Sequence, residues 1–227
     1  MKTLVLEPHF DDTAYSMSGL LLSGSREDEV LIVTVFSKCA FAPYANVSGI
    51  EEVSAFRLQE HKQFCEAVAV EGLTLNYHEA PQRGWPMDSL FYHLNCGGVE
   101  KELIQSITGD LENIKNSFKP HRVFAPLGIC GHLDHVMVRQ CSEKVFSGNI
   151  HFYEELPYAG EIDETEYNTW IQKLTVNLHP AIQPAADTIE RRLEYLKIYS
   201  SQVAEKDLES VRKYLRIHQG DRYWSKI

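Results

Sequence analysis

The stretch Val30-Leu31-Ile32-Val33-Thr34-Val35-Phe36 is an almost unbroken β-branched, apolar run with no polar face. A strand of that kind must be covered on both sides, the condition inside a parallel sheet flanked by helices. The rest of the chain keeps the matching rhythm. Compact apolar runs at 3–6, 73–77, 122–125 and 150–156 predict further strands, and helical spacing predicts helices over 14–22, 51–70, 99–118, 135–146, 189–203 and 208–218. Strands alternating with helices imply an α/β fold in three layers with a mainly parallel central sheet. In the helix over 51–70, Phe56, Phe64, Ala67 and Val68 are expected to face inward, with Gly72 as its stop. No repeat or low-complexity segment divides the 227 residues, so 1–227 is read as one domain.

Composition excludes several classes. A formal net charge of −10 gives no basic surface for phosphates, so nucleic acid is not expected as a partner. Five cysteines, odd in number and without a C-x-x-C pair, argue against a disulfide framework and for a reducing, cytoplasmic setting. The apolar start Met1 to Leu6 is too short for a signal-peptide core and is cut off by Glu7. No apolar run approaches the roughly 20 residues needed to span a bilayer. Whether the chain self-associates is left open.

Two polar knots interrupt this framework, each directly after a predicted strand: Pro8-His9-Phe10-Asp11-Asp12 and Gly131-His132-Leu133-Asp134-His135. In open α/β sheets ligands gather at the carboxyl ends of the strands near a switch point, so knots far apart in sequence are expected to meet there. Together they offer three good ligands for a divalent metal, with carboxylates and a histidine to spare. A catalytic zinc site needs three protein ligands and an open position for water. His9 and Asp12 supply a nitrogen and an oxygen of the kinds zinc binds at about 2.0–2.2 Å, while Asp11 need not be a ligand. The plainer alternative is that Asp11 or Asp12 caps the following helix.

In the second knot His132 and His135 lie three apart at a helix start and share a face. One of them can ligate a metal while the other, partnered by Asp134, donates to a developing negative charge. The competing reading is a pair of surface histidines. The remaining histidines, His61 among them, are read as surface or satisfied core residues. Cys130 is read as a small packed hydrophobe. Arg57 and Glu60 form either a surface ion pair or, more sharply, include an arginine that faces the substrate. The loop-like segment 80–98 is placed to cover a site.

At these residues the chain resembles the PIG-L/LmbE-like family of zinc-dependent N-deacetylases. The family's opening P-H-P-D-D-E stands here as Pro8-His9-Phe10-Asp11-Asp12-Thr13, and its later G-H-x-D-H is intact at Gly131 to His135. Arg57-x-x-Glu60 resembles its R-x-x-E helix, Tyr153-Glu154-Glu155-Leu156-Pro157 its Y-x-E-x-P strand end, and Tyr199-x-Ser201-Gln202 its late Y-x-S-Q. The resemblance implies a Rossmann-like fold that removes the N-acetyl group from an N-acetylglucosamine-type sugar or glycoconjugate. It implies zinc, or another divalent ion such as Fe2+, bound by His9, Asp12 and His135. Asp11 would be the general base, and His132, oriented by Asp134, would stabilise the oxyanion or protonate the leaving amine. Arg57 is taken as a substrate contact. The chain departs from the family at Phe10 (usually proline), Thr13 (usually glutamate) and Cys130, where some members carry a tyrosine. The tail 220–224 follows the family only loosely.

Two other readings stand beside this one. Adjacent aspartates after a first strand also mark phosphoacceptor receiver domains, but the further aspartate and lysine these require are not evident. A metal- or sugar-binding protein of the same fold without turnover is the other.

Overall fold

The computed structural model describes residues 1–24, 28–96, 98, 100–184 and 188–226. Five parallel strands form its centre: β1 (Lys2–Glu7), β2 (Glu29–Lys38), β3 (Glu71–His78), β4 (Arg122–Pro126) and β5 (Ile150–Tyr153). Two further strands, β6 (His179–Pro184) and β7 (Gly220–Ser225), complete a sheet in the order β3-β2-β1-β4-β5-β7-β6. β7 runs antiparallel to β5 and to β6, so the sheet is mostly parallel with one antiparallel edge. Helices cover both faces, and the expected α/β architecture is present.

The helices are α1 (Asp12–Ser16), α2 (Ser18–Ser23), α3 (Ile50–Val68), α4 (Lys101–Phe118), α5 (Leu133–Val145), α6 (Tyr158–Glu161), α7 (Glu164–Leu174), α8 (Ile189–Leu196) and α9 (Glu205–His218). The single helix expected over 14–22 is two short ones, broken at Met17 where the backbone leaves helical geometry. The helix expected from 99 begins at Lys101, and Val99 and Gly97 lie outside the described residues. The helix expected over 189–203 stops at Leu196 and the chain turns through Tyr199. Neither α7 nor the strand pair β6 and β7 was expected. For α7 the signal was present: Asp163 caps its start by accepting the Glu166 N–H, and Tyr167, Trp170 and Leu174 form its buried stripe.

The largest correction concerns α3. Phe64 is buried as expected, but Phe56 and Ala67 are exposed and Val68 is only half-buried. The inward face instead carries Arg57, Glu60 and His61 together with Val53, Phe64 and Cys65. An apolar count places such a face wrongly, because four of its buried members, Ser54, Arg57, Glu60 and His61, are polar. Gly72 does not stop the helix. Ala69, in the left-handed region, ends it, while Gly72 lies in β3, where an added Cβ would come within 3.1 Å of Cys65 Sγ and His61 Nε2. Close packing of helix on strand favours glycine there.

His61 is a satisfied core residue and ties α3 to the turn after β1. Its Nδ1 donates to the Phe10 carbonyl at 3.0 Å, beside the Tyr199 hydroxyl at 3.2 Å, leaving Nε2 against Cys65 Sγ at 3.4 Å. Burial lowers its pKa to about 4, with Phe10 opposing and the Arg57 charge assisting. The unfolded chain protonates this residue below about pH 6.5 while the folded one does not until about pH 4, so stability is full above this window and falls as pH drops through it. Comparing urea unfolding near pH 7 and near pH 5, His61→Gln is expected to lose about 2 kcal/mol less than the parent protein. Equal losses in both proteins would assign the acid sensitivity to other groups.

Candidate active site and metal centre

β1 and β4 are neighbours in parallel register, with Thr3 opposite Arg122 and Val5 opposite Phe124. The chain leaves each of them into one of the two polar knots. At this point the strand order reverses, since β2 and β3 lie to one side of β1 and β5 lies beyond β4. The knots therefore meet at a topological switch point.

The first knot is stapled to β2 by a hydrogen bond from the Phe36 N–H to the Pro8 carbonyl, 2.9 Å. Phe10, in place of a proline, is fully buried with its ring 5.2 Å from His61, so it acts as a core wedge. Asp11 precedes α1 but makes no side-chain cap bond. Asp12 accepts from the His9 N–H at 2.8 Å, which folds its carboxylate back towards the imidazole. Its oxygens lie 3.5 Å from both His9 Nδ1 and His135 Nε2. The cap alternative is therefore not what these aspartates do.

The second knot depends on backbone that most residues avoid. Gly128, Cys130 and Gly131 all have positive φ. At Gly131 an added Cβ would come within 2.3 Å of the His93 carbonyl oxygen, because the loop after β3 crosses there through the bonds Tyr92 N–H to Cys130 and His93 N–H to Gly131. Glycine is required by conformation and by this close approach. His132 then caps α5 in an unusual way, its Nδ1 accepting the Asp134 N–H at 3.3 Å.

His9, His132 and His135 come together, with one ligand atom from each lying within 4.8 Å of the others. His135 Nδ1 faces Glu155 Oε1 at 3.3 Å, and Glu155 is itself held by the Gly128 and Ile129 N–H groups. Its Nε2 is buried without a hydrogen-bond partner among the described residues. An orphaned imidazole nitrogen 3.5 Å from a carboxylate is what a cation would occupy. The charges agree. Although burial works against it, Glu79, Asp12 and Asp134 hold the His9 imidazole protonated well above its usual range. The site thus carries negative charge that a metal ion would neutralise. Zinc or iron(II) suits a donor set of imidazole and carboxylate.

His132 differs from the other two. In a neutral imidazole one nitrogen accepts and the other donates, and its Nδ1 lone pair already takes the Asp134 N–H. Its Nε2 therefore carries the hydrogen. Burial and the neighbouring His135 and His9 push its pKa well down, so the neutral form holds. The ligand atoms that converge among the described residues are those of His9, His132 and His135, with the Asp12 carboxylate 3.5 Å from a nitrogen of His9 and of His135.

Asp134 does not orient His132 through its carboxylate. That group is fully buried and bonds His9 Nε2 at 3.1 Å, the Ala80 N–H at 3.0 Å and Arg83 Nη2 at 2.9 Å. Although burial opposes it, these partners hold its pKa far below the usual carboxylate range. It fixes the His9 ring with Nδ1 turned to the site, and only its backbone N–H addresses His132. Arg57 is likewise committed: buried in α3, it donates Nη1 to Glu79 at 2.7 Å and Nη2 to Asp11 at 3.1 Å. It lines the cavity, yet these two nitrogens are already taken by carboxylates.

Several contributors escaped the sequence reading. Glu79 and Arg83, at the end of β3 and just after it, hold Arg57 and Asp134. Tyr15 and Tyr158 line the cavity, the latter ring 5.6 Å from that of His135. No pattern marked them. Glu60 shows why the motif on α3 and the late Y-x-S-Q belong together: it accepts from Ser200 Oγ, the Ser201 N–H and Ser201 Oγ. Among the described residues no helix is long and apolar enough to cross a membrane.

Comparisons with known proteins give the family and the fold. The family model described as PIG-L: GlcNAc-PI de-N-acetylase matches residues 4–146. The chain is 28% identical over 222 residues to 2'-N-acetylparomamine deacetylase of Streptomyces fradiae, covering 95% of this chain and 77% of that protein. Among solved structures, the zinc-inhibited form of teicoplanin deacetylase Orf2 superposes with a TM-score of 0.73 at 19% identity, over 99% and 97% of the two chains. The N,N'-diacetylchitobiose deacetylase of Pyrococcus horikoshii does so with a TM-score of 0.64 at 17% identity, over 98% and 83%.

Metal analysis of purified variants separates the two ligand sets. His135→Ala and Asp12→Ala are expected to lose stoichiometric metal, and His132→Ala to retain it. Metal kept by Asp12→Ala and lost by His132→Ala would make the three histidines the ligands.

Proposed function

The chain belongs to the PIG-L family, and on that premise we propose that it is a metal-dependent N-deacetylase. It removes the acetyl group from the amino nitrogen of an N-acetylglucosamine-type sugar or glycoconjugate, with zinc as the ion. One observation carries the reading: the two adjacent aspartates are divided between tasks. Asp12 faces His9 and His135, while Asp11 lines the cavity with Oδ1 held by Arg57 and no cap to serve. The named relatives support it, since they are described as deacetylases of 2'-N-acetylparomamine, of teicoplanin and of N,N'-diacetylchitobiose.

When bound, a divalent metal supplies a Lewis acid that polarises a carbonyl and lowers the pKa of water from 15.7 to about 7. The remaining work falls to the chain. Asp11 takes a proton from the attacking water as its oxygen bonds to the amide carbon. Arg57 keeps that carboxylate aimed. His132 presents Nε2–H to the negative charge that develops on the amide oxygen. A neutral imidazole has no second proton to give, so Asp11 returns the proton it took to the leaving nitrogen. The C–N bond then breaks, releasing acetate and amine. Asp134, through His9, acts on ligand geometry, a role outer partners of metal sites commonly have.

The test is amine release from a panel of N-acetylated amino sugars by zinc-loaded protein. Asp11→Asn is expected to lower kcat roughly 10²–10⁴-fold with KM little changed and metal retained. Arg57→Lys is expected to lower kcat and leave KM near its original value, because the arginine positions the base. A raised KM with kcat preserved would make Arg57 a substrate contact instead, and full kcat in Asp11→Asn would remove Asp11 as the base.

A further inference from the structure

The cavity above the site, about 450 Å³, has two unlike regions. Its floor is charged and internally paired. Asp11 and Glu79 face Arg57, Asp12 faces His9 and His135, and Asp134 faces His9 and Arg83. Its mouth is apolar where the lining is exposed, at Ala40, Phe41 and Met87. Phe41 and Met87 stand there 48% and 58% exposed, above the buried Leu90 and Leu156, with Gln82 and Gln202 as the polar members of the wall.

Phe41 is displayed from a fixed backbone. Its carbonyl accepts from Gln202 Nε2 at 2.9 Å, the Tyr44 N–H donates to the Ser201 carbonyl at 3.2 Å, and the Cys39 N–H donates to Ser54 Oγ at 3.0 Å. A braced loop that leaves an aromatic ring in water at the lip of a cavity marks a contact surface. Tyr44, on the same loop, is 51% exposed as well. Deeper in the wall, Gln82 Oε1 is buried with no partner among the described residues, an acceptor suited to a sugar hydroxyl.

We propose, resting on the N-deacetylase reading above, that the substrate is an amino sugar bearing an uncharged apolar aglycone, which docks on Phe41 and Met87. The scissile acetamide must reach the floor, where Asp11 and His132 stand. What reaches the mouth is therefore the glycosidic side of the molecule and not the acyl group. Charge points the same way. Each carboxylate lining the cavity already lies against an arginine or an imidazole of the floor, so none is left at the mouth for the ammonium groups of a polycationic aminoglycoside. Burial of apolar area on the lip then sets specificity.

Zinc-loaded protein is assayed with phenyl N-acetyl-β-glucosaminide, N-acetylglucosamine, N-octanoylglucosamine and 2'-N-acetylparomamine. The phenyl glycoside is expected to exceed N-acetylglucosamine about tenfold in kcat/KM, and Phe41→Ser or Met87→Ser to bring that ratio towards one. A preference that survives both substitutions overturns the proposal. So does a preference for the aminoglycoside, or a gain that follows acyl length. If no amide is cleaved, the deacetylase reading fails, and calorimetry with phenyl β-glucosaminide against glucosamine decides the docking surface separately. Tighter binding of the phenyl compound that Phe41→Ser abolishes supports it, and equal binding of the two overturns it.

Discussion

The contact between His9 Nε2 and Asp134 Oδ2, 3.1 Å long across 125 residues of sequence, is where the whole site closes. It exists because β1 and β4 pair in parallel, which no local turn can arrange. Each strand is covered on both faces, so its register is fixed by packing and the knots that follow are delivered to the same edge. Slipping that register by one residue would reverse every side chain and separate the two knots.

Around this contact lie ionic groups that would be costly to bury alone. Asp134, Arg57 and Glu79 are all nearly inaccessible, and each is met by two or more partners. Breaking one such partnership strands a buried charge, typically at a loss of about 3–5 kcal/mol. The arrangement is therefore weak evidence for stability and better evidence for a site whose geometry is tightly specified. Segments that look irregular in sequence share in this. The stretch after β3 carries Ala80 and Arg83 to Asp134 and crosses the Gly131 turn, so the cover of the site is also part of its support.

The same buried frame separates chemically similar groups. His132 and His135 have like surroundings in sequence, yet one has its Nδ1 lone pair taken by a backbone N–H and the other faces Glu155. The proposed donor and the proposed ligand are thereby distinguished by tautomer. Asp11 and Asp12 are distinguished in the same manner, one by an arginine and the other by two imidazoles. At the lip of the cavity, braced backbone and an apolar surface extend the selection from reaction type to substrate shape.

Alternating apolar runs and helical spacing were enough to reveal the α/β sheet, because buried parallel strands cannot hide their hydrophobicity. The two knots were equally legible, since closely spaced histidines and aspartates after strands have few other uses. Where side chains point was not legible. Arg57 and Glu60 read as either a surface pair or a substrate-facing arginine, and His61 as either a surface or a core residue, yet all three lie on the inward face of α3, because polar burial is decided by partners such as Asp11, Ser201 and Phe10 that come from distant elements. Asp134 read as the orienter of its neighbour and instead reaches His9 and Arg83. The antiparallel edge of β6 and β7 was missed because its pairing is set by the tail meeting a strand some 40 residues earlier. Sequence determined the fold class through local periodicity and marked the candidate site through two clusters of histidine and aspartate. Tertiary structure alone decided which atom of each group faces which, because those choices are energies of contacts that exist only once the sheet has brought the strand ends together.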